Sequence, residues 1–259
     1  AVVCDSTTNL SRYERGIMEL TPVESYHMNG TNTSLAGVIG NVAGGNLSKG
    51  PLLNESVELT LIEQFDSVRK QTQNAFQQVL DTSEYSFTKS NYRETVAASG
   101  SIFIGTNAKY GNFDQYEPLG DQLGLSPAIV AGVDFTVLNP ANTAFDQDFE
   151  ADALPVNLAR QYIEYSRSID PKLKRKTMEE IAGYVEMLKH ALEDLNDGAV
   201  TYKPGANRLL ETLSRCAMAH ARIRLADETQ PSDATRAIDL SKFLFGEIGI
   251  QPNVSKHNT

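Results

Sequence analysis

Residues 101–114 read SIFIGTNAKYGNFD, and this stretch decides the fold. Its first five residues form a largely apolar run, which is typical of a strand buried on both faces of a sheet. The run gives way to a polar, glycine-containing segment that indicates a loop. Similar short runs occur at residues 1–4, 57–62 and 133–138, with helical patterns between some of them. Strands that alternate with helices predict an α/β fold with a parallel sheet covered on both faces.

The segments around this sheet also carry readable patterns. A helix is predicted after the turn-forming residues 5–9 and up to residue 20, and an amphipathic helix over residues 66–80. Residues 82–96 favour strand on both sides of a polar break at Lys89-Ser90-Asn91, which predicts a β-hairpin. The first half of the chain is therefore expected to be an α/β core with an inserted hairpin.

The second half of the chain has a different character. A polar, acidic stretch at 139–153 is interpreted as a linker, and it is followed by four segments of helical periodicity. These segments are residues 155–168, 173–195, 205–226 and 231–248. We predict two domains, an α/β core over residues 1–150 and a small all-helical domain over residues 151–259.

Composition restricts the kinds of function. The 259 residues carry a formal net charge of −10, so contact with nucleic acid would need a local group of cations, or the chain works mainly through other proteins. Cys4 and Cys216 are too few for a disulfide framework, and no run approaches the about 20 apolar residues that span a bilayer. We therefore expect a cytoplasmic location, associated with the nucleoid in a prokaryote, and no membrane partner.

An ordered set of motifs resembles the MCM family of AAA+ replicative helicases. Residues 105–114 resemble the family's sensor-1 region, and residues 62–68 (IEQFDSV) fall at its Walker B block. Lys89 falls at the tip lysine of the family's pore hairpin, and residues 125–134 (LSPAIVAGVD) resemble the segment with its arginine finger. Further matches to the family's lid lie at residues 210–215, 219–225 and 233–240. The resemblance implies a P-loop-NTPase-like core followed by a helical lid.

The same resemblance places the phosphate-binding loop at residues 4–11 (CDSTTNLS). Such a loop needs small residues that let backbone N–H groups wrap the phosphates, a lysine for their charge, and a hydroxyl for Mg²⁺. Ser11 matches the hydroxyl, but Leu10 stands where the lysine is expected, and residues with a Cβ replace the glycines. The degenerate loop comprises Asp5, Ser6, Thr7, Thr8, Asn9, Leu10 and Ser11.

Other positions tied to hydrolysis are also changed. The resemblance puts Glu63 where the family has its Mg²⁺-holding aspartate, and Gln64 where it has the glutamate that polarises the attacking water. A neutral amide cannot act as a general base. Gly132 occupies the place of the arginine finger. We predict an ATPase-deficient chain that uses neither ATP nor Mg²⁺; the alternative is an active helicase with an atypical nucleotide site that binds both.

Three functional positions are retained. Asn107 matches sensor 1, and Arg208 matches the sensor-2 arginine that serves the neighbouring subunit's ATP site. Lys89 matches the lysine that touches DNA in the central channel. For Arg208 an ordinary exposed arginine at a helix start is an equal alternative. For Lys89 the DNA contact is preferred to the alternative of a solvated turn lysine, although Glu84 and Glu94 flank it on the same hairpin.

The histidines give no metal prediction, since His27, His190, His220 and His257 have no ligand spacing with the cysteines or with one another. The predicted function is that of an MCM-like protein in DNA replication with a structural, regulatory or ring-subunit role. Its expected partners are MCM-family subunits or other replication proteins. The remaining alternative is a free-standing protein-interaction module.

Overall fold

The computed structural model describes residues 1–4, 10–89, 91–114, 119–139, 154–193 and 205–247. Its strands are β1 (Val2–Cys4), β2 (Ser25–Asn29), β3 (Gly40–Ala43), β4 (Asn46–Lys49), β5 (Leu59–Glu63), β6 (Glu84–Lys89), β7 (Tyr92–Ala97), β8 (Ser101–Asn107) and β9 (Val137–Asn139). Its helices are α1 (Leu10–Leu20), α2 (Leu35–Val38), α3 (Lys70–Thr82), α4 (Leu119–Gln122), α5 (Pro127–Gly132), α6 (Val156–Arg167), α7 (Arg175–Glu193), α8 (Ala206–Ile223) and α9 (Pro231–Glu247).

Among the described residues, a five-stranded parallel sheet forms the centre of the first unit, in the order β2-β5-β8-β1-β9. Cys4 pairs with Asn107, and Asn29 pairs with Glu63, so the carboxyl ends of four neighbouring strands lie along one edge. Ligand sites of open α/β sheets lie beyond this edge. The α/β prediction is confirmed.

The strand and helix bounds differ from the predictions in three places. Strand β2 was not predicted, because His27 and Asn29 interrupt its apolar pattern on an edge strand. The predicted strand over residues 133–138 was wrong in its extent: only Val137–Asn139 is strand, and α5 ends just before residue 133. Helix α3 begins at Lys70 rather than residue 66, because residues Phe65–Ser67 form a separate 3₁₀ turn.

The predicted hairpin at residues 82–96 is confirmed as β6 and β7, which pair antiparallel up to Lys89 and Tyr92. A second hairpin, β3 and β4, was missed. Gly44 and Gly45 form its turn with φ angles of 58° and 80°, which glycine adopts without strain. The Gly-Gly pair between short runs was the signal for it.

The described residues fall into two compact units, an α/β unit with all the strands and a helical unit with α6 to α9. Phe65 and Phe76 stack edge to face in the first core with ring centroids 5.3 Å apart, and Ile181, Leu188 and Leu213 are buried in the second. The four predicted helices agree with α6 to α9 within a few residues. The predicted boundary at residue 150 and most of the linker lie outside the described residues, so the boundary stays a prediction.

In the described part of the chain, every helix is too short or too polar to cross a bilayer.

Candidate functional site

Glu63, the last residue of β5, is the centre of the candidate site. Its Oε2 accepts a 2.7 Å hydrogen bond from Ser11 Oγ, and its Oε1 accepts one of 2.7 Å from Asn29 Nδ2. Burial raises the pKa of Glu63, but the bonds from Ser11 and Asn29 and the nearby His27 outweigh it, so the pKa is lowered overall. The structure therefore brings Ser11 and Glu63 together around an ionised carboxylate.

Leu10 opens α1 and is 7% exposed. Its side chain lies against Gly105 of β8, since a Cβ built on that glycine would meet Leu10 Cδ2 at 2.6 Å. The residue at the predicted lysine position thus packs on the sheet as part of the core. Residues Asp5 to Asn9 of the predicted loop lie outside the described residues.

Gln64 directly follows β5 in a left-handed conformation, with φ 52° and ψ 46°. This conformation is unusual for a residue with a side chain. The Gln64 carbonyl lies so close to Gly30 that a Cβ there would be 2.2 Å from the oxygen. Gly30 therefore gives the room that the backbone at Gln64 needs.

Asn107 ends β8 beside a carboxylate that was not singled out from the sequence. Asp66 Oδ1 accepts hydrogen bonds from Thr106 Oγ1 at 3.1 Å and from the Asn107 backbone N–H at 3.5 Å. These bonds hold the backbone at the end of β8 and thereby position the Cα and Cβ atoms of Asn107. Asp66 lies within the Walker B resemblance at residues 62–68, which was the available signal.

Glu14 and His27 extend the site and were missed. Glu14 Oε2 lies 3.1 Å from His27 Nε2, and a carboxylate oxygen of Glu14 lies within 4.8 Å of one of Glu63. Burial, together with Glu63, raises the pKa of Glu14 to about 7 against the lowering effect of His27. The spacing of histidines and cysteines alone gives no information about carboxylate ligands. The available signal was the position of Glu14, which lies one turn after Leu10 on the same buried face of α1.

Gly132, at the arginine-finger position, is the buried last residue of α5. A Cβ built there would lie 3.0 Å from Leu80 Cβ and 3.5 Å from Asp81 Oδ1, both on α3. The position is therefore closely packed against a helix of the same chain, with little room for a long charged side chain.

Lys89 and Arg208 belong to other elements of the chain. Lys89 ends β6, and its Nζ donates a 2.8 Å hydrogen bond to the carbonyl of Val42 on β3, which links the two hairpins. Arg208 lies in the first turn of α8 in the helical unit and is partly buried. Its role, like that of Lys89, stays a prediction.

Comparisons with known proteins identify the family. Residues 1–152 match the model of the MCM P-loop domain, and residues 157–245 match that of the MCM AAA-lid domain. The chain is 21% identical to the minichromosome maintenance protein MCM of Saccharolobus solfataricus over 81% of its length. It is 26% identical to the probable DNA helicase MCM9 of Arabidopsis thaliana over 74%, and 22% identical to the zygotic DNA replication licensing factor mcm6-A of Xenopus laevis over 92%.

The chain spans about a third of the length of these curated relatives, 32%, 32% and 31% respectively. The two family models together cover nearly the whole chain, in the order P-loop domain and then lid. The parallel sheet and the separate helical unit have the architecture that these two domains require. The chain belongs to the MCM family.

Proposed function

We propose that this chain is an MCM AAA+ module that does not turn over ATP and that acts as a structural subunit beside active MCM subunits in DNA replication. The observation that carries the proposal is the packing of Leu10 against Gly105. Phosphoryl transfer depends on positive groups that neutralise the negative charge of the phosphates, and a buried leucine has no positive charge. Burial of this side chain instead stabilises the contact between α1 and the sheet.

The other described residues of the site support the same conclusion. Ser11 and Glu63, which lie a hydrogen bond apart, are the groups that would hold Mg²⁺, but the buried Leu10 beside Ser11 has no charge to offer the phosphates. Gln64 offers an amide in place of a general base, and Gly132 is packed against α3. Among the described residues the set therefore does not fit Mg·ATP, and no hydrolytic step is derived from it.

Calorimetry with Mg·ATP tests the nucleotide half of the proposal. We expect no saturable heat at millimolar nucleotide, because Leu10 leaves the phosphate charge unmatched. An MCM protein with an intact lysine at the position of Leu10 is the positive control. Saturable binding that is lost in Ser11→Ala would contradict the proposal, since Ser11 is the retained metal-binding hydroxyl.

Arg208→Ala tests the ring-subunit half. If Arg208 serves a neighbouring subunit's nucleotide, the variant should form a mixed complex with an MCM protein of the same organism about tenfold more weakly, because one charge-assisted contact is lost. Analytical ultracentrifugation of the mixture with ATP measures this. Arg215→Ala is the matched control, an exposed arginine two turns later on α8. Equal weakening by both variants would remove Arg208 from the subunit contact, and a monomer with no mixed complex would favour a free-standing module.

Lys89 carries the proposal of a DNA contact. Its ammonium uses one donor on Val42, but it is exposed at the hairpin end and carries several N–H donors. We expect Lys89→Ala to reduce the salt dependence of single-stranded DNA binding by about 0.7 in the log–log slope. Fluorescence anisotropy over a salt series measures the slope. Lys49→Ala, which removes a Glu55-paired lysine from β4, is the control; the same slope in both variants would remove Lys89 from the interface.

A further inference from the structure

Three side chains from three different elements converge beside β5. They are Glu14 of α1, His27 of β2 and Glu63 of β5, and one ligand atom of each lies within 4.8 Å of those of the other two. His27 Nε2 is 3.1 Å from Glu14 Oε2 and 4.0 Å from Glu63 Oε2. Residues that are distant in sequence thus present one imidazole nitrogen and two carboxylate oxygens to a common point.

This spacing suits a metal ion. Ligands held tetrahedrally at about 2.0–2.1 Å from a zinc ion lie about 3.3 Å from one another. The shorter of the two histidine distances is already near that value, and the longer one exceeds it by less than an ångström. A rotation of the partly exposed His27 side chain would close the difference.

One oxygen of the Glu14 carboxyl group is buried and available to a ligand. The Glu14 side chain is 2% exposed, and within the described part of the chain its Oε1 has no hydrogen-bond partner. A buried carboxylate with an unpaired oxygen is costly unless a proton, a donor or a metal satisfies it. Gly105 makes room for that oxygen, since a Cβ there would lie 2.8 Å from it. The fold therefore accommodates this carboxylate in the interior without giving it a full set of donors.

The surroundings of the cluster have two further properties of metal sites. Asn29 and Ser11 donate to Glu63 and fix the orientation of its carboxylate, which is how outer groups orient a ligand. The His27 side chain is 35% exposed and, with Asn29, borders a cleft of about 220 Å³. Protein groups therefore orient the Glu63 carboxylate, and solvent can reach the cluster on the His27 side.

We propose that Glu14, His27 and Glu63 bind a divalent first-row transition ion, with Zn²⁺ as the representative, and that they do so without nucleotide. The imidazole favours such an ion over Mg²⁺, which prefers oxygen ligands and near-octahedral geometry. Solvent on the His27 side supplies the remaining ligand. The set differs from the Mg²⁺ position that the family resemblance implies, because Glu14 and His27 have no part in that one.

Metal binding to the whole chain, without nucleotide, tests the proposal. Zn²⁺ and Mg²⁺ are each titrated by calorimetry, and retained zinc is counted by atomic absorption after dialysis. We expect one Zn²⁺ per chain and at least about tenfold weaker binding of Zn²⁺ in His27→Gln and in Glu14→Gln. His190→Gln is the matched control, because His190 lies 3.4 Å from Glu186 in an exposed pair on α7 and belongs to no three-ligand cluster among the described residues.

Co²⁺ gives a second readout that does not depend on the folding of any variant. The wild-type chain with Co²⁺ should show the intense visible absorption of a four- or five-coordinate ion, and Zn²⁺ should displace it. Equal binding of Zn²⁺ by the wild type and by a folded His27→Gln chain would overturn the proposal. So would loss of zinc in His190→Gln to the same extent, preferential binding of Mg²⁺, or the weak spectrum of a fully hydrated Co²⁺ ion.

Discussion

The chain should release phosphate from Mg·ATP at least about 10⁴-fold more slowly than an MCM protein with an intact hydrolytic set. Loss of a general base costs about 10²–10⁴ in rate, and loss of an arginine finger about 10³–10⁵. Gln64 stands at the position of the general base, and Gly132 stands at the position of the arginine finger. Leu10 stands at the position of the lysine that would neutralise the phosphates. A coupled phosphate-release assay measures the rate.

Gln64→Glu alone should remain inactive, because it restores the base but neither the lysine nor the arginine. The control is an intact MCM protein whose own glutamate at the corresponding position is changed to glutamine, which should lose most of its activity. Phosphate release by the unmodified chain that disappears in Ser11→Ala would sink the prediction, since contaminating ATPases do not depend on Ser11.

Arg224→Met should lower the free energy of unfolding of the helical unit by about 3 kcal/mol. Arg224 donates from Nε to Asp233 Oδ1 at 2.9 Å and from Nη2 to Oδ2 at 2.5 Å, and Asp233 is 1% exposed. Removing one partner of such a pair leaves an uncompensated buried charge, which costs about 3–5 kcal/mol. The lower end applies because Arg224 is 35% exposed and its charge is screened. Urea denaturation followed by circular dichroism measures the change.

Arg175→Met is the matched control, since Arg175 forms a solvent-exposed pair with Glu179 on α7 and should change stability by less than about 1 kcal/mol.

The Arg224–Asp233 pair also predicts how stability depends on pH. Burial raises the pKa of Asp233, but the hydrogen bonds from Arg224 and from the Gln230 backbone lower it by more. The pKa of Asp233 in the folded chain therefore lies below the ordinary 3.8. The stabilisation is therefore complete above pH 3.8 and is lost as the pH falls through the folded pKa. Equal stability losses in both arginine variants would contradict this account.

The helical unit could be predicted almost completely from the sequence. Its apolar residues recur with helical spacing, and proline at the starts of α6 and α9 marks where each helix can begin. Apolar periodicity predicts such elements because each one buries a stripe of its own side chains. The central strands β5 and β8 were predictable for a related reason, since each has a neighbouring strand on both sides and a run of mostly apolar residues.

The parts that could not be predicted depend on partners distant in sequence. In strand β2, the His27 side chain contacts Glu14 and the Asn29 side chain contacts Glu63. No local sequence pattern predicts these contacts, because the partners are distant in the chain. Glu14 reads as a solvated charge on an amphipathic helix until the sheet is known to cover it. The left-handed backbone of Gln64 likewise depends on Gly30, which is 34 residues earlier in the chain.

The buried side chain of Leu10 has a consequence for how an assembly would run. In a subunit whose first helix is held to the sheet by a bound phosphate, folding free energy rises with nucleotide concentration. Here the helix is held by hydrocarbon, so under the proposed function we expect the thermal transition of the α/β unit to be the same with and without ATP or ADP. A ring that contained such a chain would then have one subunit whose stability does not change while its neighbours bind and hydrolyse nucleotide.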